Sequence, residues 1–182
     1  MKEKDPRSVV TGEVRFSYMN VFEPKSIEGS EPKYSVSLII PKSDKKTIAA
    51  INKAIDAAKQ AGIGKFGGKI PANIKIPLRD GDIDREDDET YKDSYFINAN
   101  CKLKPGLIDK HGVKIEDSTE LYSGCYGLAS VTFYAFNTSG NKGIACGLNN
   151  LMKTRDGESL GGRAKAEDDF AEFIEEEDED WL

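Results

Sequence analysis

The strongest constraint on the fold is a two-residue alternation of side-chain character that recurs along the chain. Between residues 8 and 22, Val14, Phe16 and Tyr18 share one parity, and mostly polar side chains occupy the other. Four later segments also have strand character, residues 33–40, 95–103, 124–136 and 143–148. Because successive side chains of a strand point to opposite faces, this period predicts half-buried β-strands. We expect a mainly β protein in which the first two strands are antiparallel neighbours.

One helix interrupts the strands. Ser43 or Asp44 can cap its start, and Gly62 can end it. Its apolar residues fall at helical spacing, at Ile48, Ile51, Ile55 and Ala58. These signals predict a helix over residues 45–61. Five or six strands with one helix after the second suit a small antiparallel barrel or a sandwich.

Charge divides the chain into two parts. Residues 167–182 contain ten acidic side chains and no basic one, whereas residues 1–166 hold 26 basic and 22 acidic side chains. A terminal block of like charge repels itself and stays solvated, so we expect one folded domain over residues 1–166 and a disordered acidic tail. The chain closes with Asp178, Glu179, Asp180, Trp181 and Leu182. Two large apolar residues at that end favour a partner-binding tail, and a solubilising tail is the alternative.

Several classes of function are disfavoured by the residues available. The three cysteines, Cys101, Cys125 and Cys146, are widely spaced, and His111 is the single histidine. This set predicts buried thiols instead of a zinc site, and it gives no support to a catalytic serine or cysteine triad. We therefore expect neither zinc nor another cofactor at these residues. The sequence shows no membrane span or secretory signal, so we expect a cytoplasmic location.

Two motifs lie in the long connection of residues 62–93. Residues 62–67 match the Gly-x-Gly-x-x-Gly pattern but follow a helix instead of a strand, so we interpret them as a glycine-rich loop. Asp80, Asp82 and Asp84 begin an acidic run that lacks the order of a calcium-binding EF-hand loop. We expect a solvated acidic loop, with a calcium site or a metal-dependent nuclease centre as alternatives.

Aromatic and basic residues are interleaved along the strands. Single-stranded nucleic acid is bound by such surfaces, because bases stack on exposed rings while Lys and Arg neutralise phosphates. Phe16, Phe133 and Phe136 fit a core role better, whereas a tyrosine hydroxyl favours a wet edge. The candidate DNA-binding residues are Arg15, Tyr18, Lys25, Lys33, Tyr34, Lys42, Arg79, Lys102, Lys104, Tyr122 and Tyr126.

The body of the chain, residues 11–163, closely resembles a family of tailed-bacteriophage single-stranded DNA-binding proteins that was formerly a domain of unknown function. The resemblance is carried by residues 23–25 (EPK), 33–42 (KYSVSLIIPK), 77–82 (PLRDGD), 122–126 (YSGCY), 141–145 (NKGIA), 147–150 (GLNN) and 156–163 (DGESLGGR). It implies an oligonucleotide/oligosaccharide-binding (OB) fold, an antiparallel barrel of five or six strands with one inserted helix. It also implies no catalysis, and a role in phage DNA replication and recombination in the bacterial host cytoplasm.

The acidic C-terminus is similar to those of bacterial and podovirus single-strand-binding proteins, which use it to recruit replication enzymes and to cover their own DNA groove. Here Trp181 and Leu182 stand where the usual terminal residue is phenylalanine. We therefore expect single-stranded DNA binding without sequence preference, with a tail that recruits partners and competes with DNA; a homo-oligomer is compatible with this. An acidic phage protein that mimics DNA, or another interaction module, is the alternative.

Overall fold

A computed structural model describes residues 5–26, 29, 31–160 and 170–174. Its strands within these residues are β1 (Ser8–Val10), β2 (Val14–Lys25), β3 (Lys33–Pro41), β4 (Arg79–Asp80), β5 (Ser94–Cys101), β6 (Gly106–Ile108), β7 (Tyr126–Thr138) and β8 (Asn141–Arg155). The helices are α1 (Lys45–Ala61) and a single turn, α2 (Gly81–Asp84), with 3₁₀ turns at Ile63–Phe66 and Glu89–Tyr91. The predicted mainly β character and the predicted helix are confirmed.

The five long strands pair in a closed ring. β2 pairs with β3, β3 with β5, β5 with β8, β8 with β7, and β7 with β2. All of these pairings are antiparallel except β5 with β8, which is parallel. The short strands extend the ring, because β1 joins β7, β4 joins β5, and β6 joins β8. The predicted antiparallel pairing of the first two long strands is confirmed.

Helix α1 has the predicted bounds because its end signals are local. The Asp44 carboxylate accepts a hydrogen bond from the Thr47 backbone N–H at 3.2 Å, and Gly62 forms the C-cap. The helix packs Ile51 and Ile55 into the core. At Gly62 a Cβ would lie 2.1 Å from the Ala135 Cβ of β7, so glycine permits the close approach of helix and sheet.

The interior is filled by apolar side chains from every strand of the ring. Phe16, Leu38, Ile97, Phe133 and Cys146 are among those that are at most 1% exposed. Cys125 is also buried, and Cys101 is half-buried, so the predicted burial holds fully for two of the three thiols. Burial raises the pKa of the Cys146 thiol strongly, which keeps it protonated. Among the described residues, no helix is long and apolar enough to cross a membrane.

The predicted first strand is in fact two strands. The Thr11 backbone N–H donates to Ala129 O at 2.9 Å, and the Gly12 N–H donates to the Thr47 hydroxyl at 2.9 Å, so the chain turns there towards α1. Val10 is consequently 59% exposed instead of sharing the buried face of Phe16. Other strand ends differ as well: β2 runs on to Lys25, β5 ends at Cys101, β7 begins at Tyr126, and β8 runs from Asn141 to Arg155.

Candidate nucleic-acid interface

A groove of about 510 Å³ crosses the outer face of β2, β3 and β5. Ser37 lies opposite Asn98, and Ser35 lies between Asn20 and Asn100, so polar side chains from neighbouring strands share this face. Such amides and hydroxyls can donate to and accept from the edges of any base. The groove therefore provides a polar floor that is open to a ligand.

Tyr18 stands at the edge of this groove because β2 is irregular there. The register of β2 against β3 shifts between Ser17 and Asn20, and Tyr18 has a positive φ of 47°. The Met19 backbone N–H donates to Ser123 Oγ at 3.0 Å instead of to a strand neighbour. By alternation Tyr18 would share the core face with Phe16, but it is 59% exposed. A β-bulge redirects side chains in this way, and the ring is available for stacking.

Two lysines lie at one end of the groove. Lys25 of β2 and Lys33 of β3 are direct cross-strand partners, and both line the groove. Like charges placed opposite each other cost stability, and a bound polyanion relieves that repulsion. Nearby, Lys102 forms an ion pair with Glu31 at 3.2 Å, and Lys104 lies over the Phe22 ring at 5.7 Å.

Arg85 lines the opposite end of the groove, although it was not among the residues predicted from the sequence. Its guanidinium lies 5.8 Å from the ring centroid of Tyr18, 5.7 Å from that of Tyr91 and 5.5 Å from that of Phe96. The signal that could have found it is its position as the single basic residue among the acids of residues 80–89. The groove asparagines were missed as well, because asparagine in a strand carries no distinctive pattern.

Residues 79–93 cover the remainder of this outer face. Ile39, Tyr91 and Phe96 form a small separate hydrophobic cluster there, in which the two rings meet edge to face at 5.1 Å. The Tyr91 hydroxyl donates to Ser37 Oγ at 3.1 Å, which anchors the cluster to the groove floor. The long connection predicted to be irregular therefore closes one end of the groove.

Two of the predicted DNA-binding cations are paired with carboxylates of this covering segment. Lys42 contacts Asp80 at 2.8 Å and Asp82 at 2.7 Å, and the hydrogen bonds that it donates to these carboxylates raise its pKa. The Arg79 guanidinium contacts the Asp84 carboxylate at 3.1 Å. Both positive charges are thus balanced within the fold. The structure does not bring them to the groove lining.

Tyr34 lies on the other side of β3. It shares the parity of Val36 and Leu38, which are buried in the core, whereas Ser35 and Ser37 face the groove. Tyr18 and Tyr34, which were both predicted to bind DNA, therefore do not lie on the same face of the sheet, and only Tyr18 lines the groove.

Three more candidates form a cluster that holds residues 156–160 against the body. Arg15 donates to Gly124 O at 3.0 Å and to Glu158 O at 2.8 Å. The Tyr126 ring centroid lies 5.3 Å from the Arg15 guanidinium and 3.7 Å from the Arg155 guanidinium. This ring therefore already contacts two guanidinium groups in the free protein.

Tyr122 belongs to the same cluster. Its hydroxyl donates to Gly157 O at 2.9 Å, and desolvation by burial is the main cause of its raised pKa. The Leu160 N–H donates to Ser123 O at 2.8 Å. Because Ser123 also accepts from Met19, the chain leading to the acidic tail is fastened beside Tyr18.

The acidic run of residues 80–89 forms local contacts. Asp80 and Asp82 face Lys42, and the Asp82 carboxylate also accepts from the Asp93 N–H at 3.0 Å. Hydrogen bonding to Lys42 is the main cause of the lowered pKa of Asp82. In the part of the chain that the structure describes, no three His, Cys, Asp or Glu side chains are grouped to hold a metal.

The predicted partner-binding residues 178–182 lie outside the described residues. Within the acidic segment the structure describes residues 170–174, which form a turn with a hydrogen bond from the Phe173 N–H to Phe170 O at 2.8 Å. Phe170, Phe173 and Ile174 are each more than half exposed. The tail thus holds apolar side chains before its terminal pair.

Comparison with known proteins identifies the family. A family model described as "Enterobacter phage Enc34, ssDNA-binding protein" matches residues 7–182. A putative protein p50 from Acyrthosiphon pisum secondary endosymbiont phage 1 is 30% identical over 182 residues, covering 93% of this chain and 95% of that protein.

Solved structures agree with this match. The single-stranded DNA-binding protein from bacteriophage Enc34 in complex with ssDNA is 27% identical, with a TM-score of 0.70 over 85% of this chain and 90% of that chain. Gp2.5, the single-stranded DNA-binding protein of bacteriophage T7, is 16% identical, with a TM-score of 0.62 over 94% and 96% of the two chains, and shares the fold. The chain belongs to the Enc34 single-stranded DNA-binding protein family.

Proposed function

We propose that this protein binds single-stranded DNA without sequence preference, in the groove across β2, β3 and β5. The observation that carries the proposal is the exposed Tyr18 ring, placed between Lys25 and Lys33 at one end and Arg85 at the other. Bases would stack on the ring while the cations contact phosphates, and neither interaction depends on base identity. The family relative that was solved with bound ssDNA supports the same ligand.

The ring of long strands is proposed to be an OB barrel. Numbered along the chain, its members follow one another around the ring as first, second, third, fifth and fourth. OB folds are five-stranded Greek-key barrels that bind oligonucleotides on the face of their second and third strands. Here these strands are β3 and β5, which form most of the groove floor.

We further propose that residues 167–182 act as a tail that competes with DNA for the groove. Leu160 is fastened beside Tyr18 through Ser123, and an extended chain of seven residues spans up to about 23 Å. The ten acids of the tail can therefore reach the groove cations of a body that has an excess of basic side chains. DNA would displace the tail and free it for other proteins.

The proposed setting is phage DNA replication and recombination in the cytoplasm of the bacterial host. Residues 178–182 would then bind a replication or recombination enzyme, with Trp181 and Leu182 as the apolar contact. In this arrangement residues 1–166 form the DNA-binding domain and the tail is the partner-binding segment. The proposal includes no catalytic step.

The experiment is a titration of fluorescent oligo-dT with the full-length protein at low and moderate salt, with a duplex of equal length in parallel. We expect salt-sensitive binding to the single strand and weaker binding to the duplex. A protein ending at residue 166 is measured beside it. No binding by either protein would refute the proposal and would favour a protein that mimics DNA.

A further inference from the structure

We propose that Arg85 is a mobile clamp for one DNA phosphate at the end of the groove opposite Lys25 and Lys33. This inference deepens the proposed function and rests on it. Arg85 is exposed, and it lines the same groove as Tyr18.

The position of Arg85 is maintained by aromatic rings. Its guanidinium lies within 5.8 Å of the centroids of Tyr18, Tyr91 and Phe96. A cation placed over a ring face is attracted by the negative charge of that face, and a planar guanidinium also stacks on it. Three rings therefore hold the charge at the mouth of the groove while leaving its five N–H donors available to a ligand.

The charges around Arg85 make this placement unexpected. Residues 80–89 contain seven carboxylates, and Arg85 is their single basic residue, yet it forms no ion pair with any described residue. Asp80 and Asp82 contact Lys42, and Asp84 contacts Arg79. Glu86 and Asp87, which follow Arg85 directly in sequence, line a neighbouring surface pocket with it but form no ion pair with it. The Arg85 guanidinium therefore has no ion-pair partner among the described residues, and its N–H donors are available to an incoming anion.

Arg79 provides an internal comparison. Its guanidinium lies 5.7 Å from the Phe96 centroid, almost the same distance as that of Arg85. Arg79 is, however, paired with Asp84 at 3.1 Å, and it is absent from the groove lining. The two arginines therefore differ in the property that matters for phosphate binding, because only Arg85 presents an unpaired guanidinium to the groove.

On DNA binding, Arg85 would change its contacts instead of its backbone position. When a base stacks on Tyr18, the guanidinium can swing off that ring and form two parallel hydrogen bonds to the adjacent phosphate. Its contacts with Tyr91 and Phe96 keep the side chain at the groove edge. One phosphate of the bound strand would then lie between Arg85 and the stacked base, which fixes where the backbone passes.

The test compares Arg85→Gln, Arg85→Lys and the matched control Arg79→Gln, all in the full-length protein, by oligo-dT titration over a series of salt concentrations. For a single strand the slope of log affinity against log salt falls by about 0.7 for each phosphate contact removed. We expect Arg85→Gln to lose about 0.7 from the slope and about tenfold in affinity at low salt. Arg85→Lys should keep the slope with weaker binding, and Arg79→Gln should match the wild type.

An unchanged slope in Arg85→Gln, or an equal loss in Arg79→Gln, would overturn the proposal. A Tyr18→Ala variant measured in the same series separates the two levels of inference. If Tyr18→Ala weakens binding and Arg85→Gln does not, the groove binds DNA without this clamp. If the wild type does not bind oligo-dT, the proposed function itself fails.

Discussion

Replacing Tyr18 by alanine tests the central contact of the proposed groove. Stacking of a base on an aromatic side chain contributes about 1–3 kcal/mol, so Tyr18→Ala should raise the Kd for oligo-dT by about 5- to 150-fold. The ring is 59% exposed, so its removal leaves no core cavity, and the free energy of unfolding should change by about 0.5 kcal/mol or less. The slope of affinity against salt should stay constant, because no charge is removed.

One control uses Tyr34, another of the four tyrosines predicted from the sequence. Tyr34 lies on the inward side of β3, so Tyr34→Ala should leave the Kd close to the wild-type value in protein that remains folded. Tyr18→Phe keeps the ring and should bind nearly as well as the wild type. The reasoning would be refuted if Tyr18→Ala bound oligo-dT with wild-type affinity, or if both alanine variants lost the same amount. Circular dichroism before each titration verifies that the protein is folded.

Four further predictions concern the regions around the groove and the acidic tail. Gly124→Ala should lower the melting temperature by several degrees more than Gly112→Ala, because both glycines have positive φ but only at Gly124 would a Cβ lie 2.0 Å from Glu158 O; equal losses in calorimetry would contradict the anchoring of residues 156–160. Deleting residues 167–182 should tighten oligo-dT binding at low salt and have less effect as salt rises; weaker or unchanged binding at low salt would contradict the competing tail. The double variant Trp181→Ala with Leu182→Ala should bind DNA as the wild type does, but it should retain less of a replication partner in a pull-down. The pKa of Asp82 lies below its ordinary value of 3.8, so its ionised form stabilises the folded state above that pH, and this stabilisation is lost as the pH falls further. In denaturant unfolding, Asp82→Asn should be less stable than the wild type at pH 6, and the difference in the free energy of unfolding should shrink below pH 3.8. A difference that does not depend on pH would exclude the Lys42 contact as its cause.

Several features could be predicted because they depend on neighbours in the chain. The bounds of α1 follow from a cap at Asp44 and a stop at Gly62. Both residues directly flank the helix in the chain, so these signals can be read without knowing any long-range contact. The long strands follow from alternation, and the opposite charges of body and tail follow from composition. The family resemblance depended on short motifs spread over the body, and the family match supports it.

The arrangement of the candidate site required the tertiary structure, because it depends on pairs of residues that are distant in sequence. Alternation places Tyr18 with Phe16, and only the shifted register against β3 shows that the ring points outward. Lys42 and Arg79 are basic in sequence, but the folding of residues 79–93 onto β5 pairs both with carboxylates. The same folding brings Arg85 over three rings. Local spacing therefore determined which elements form, whereas long-range strand register and loop placement decided which rings are exposed and which cations lack an ion-pair partner.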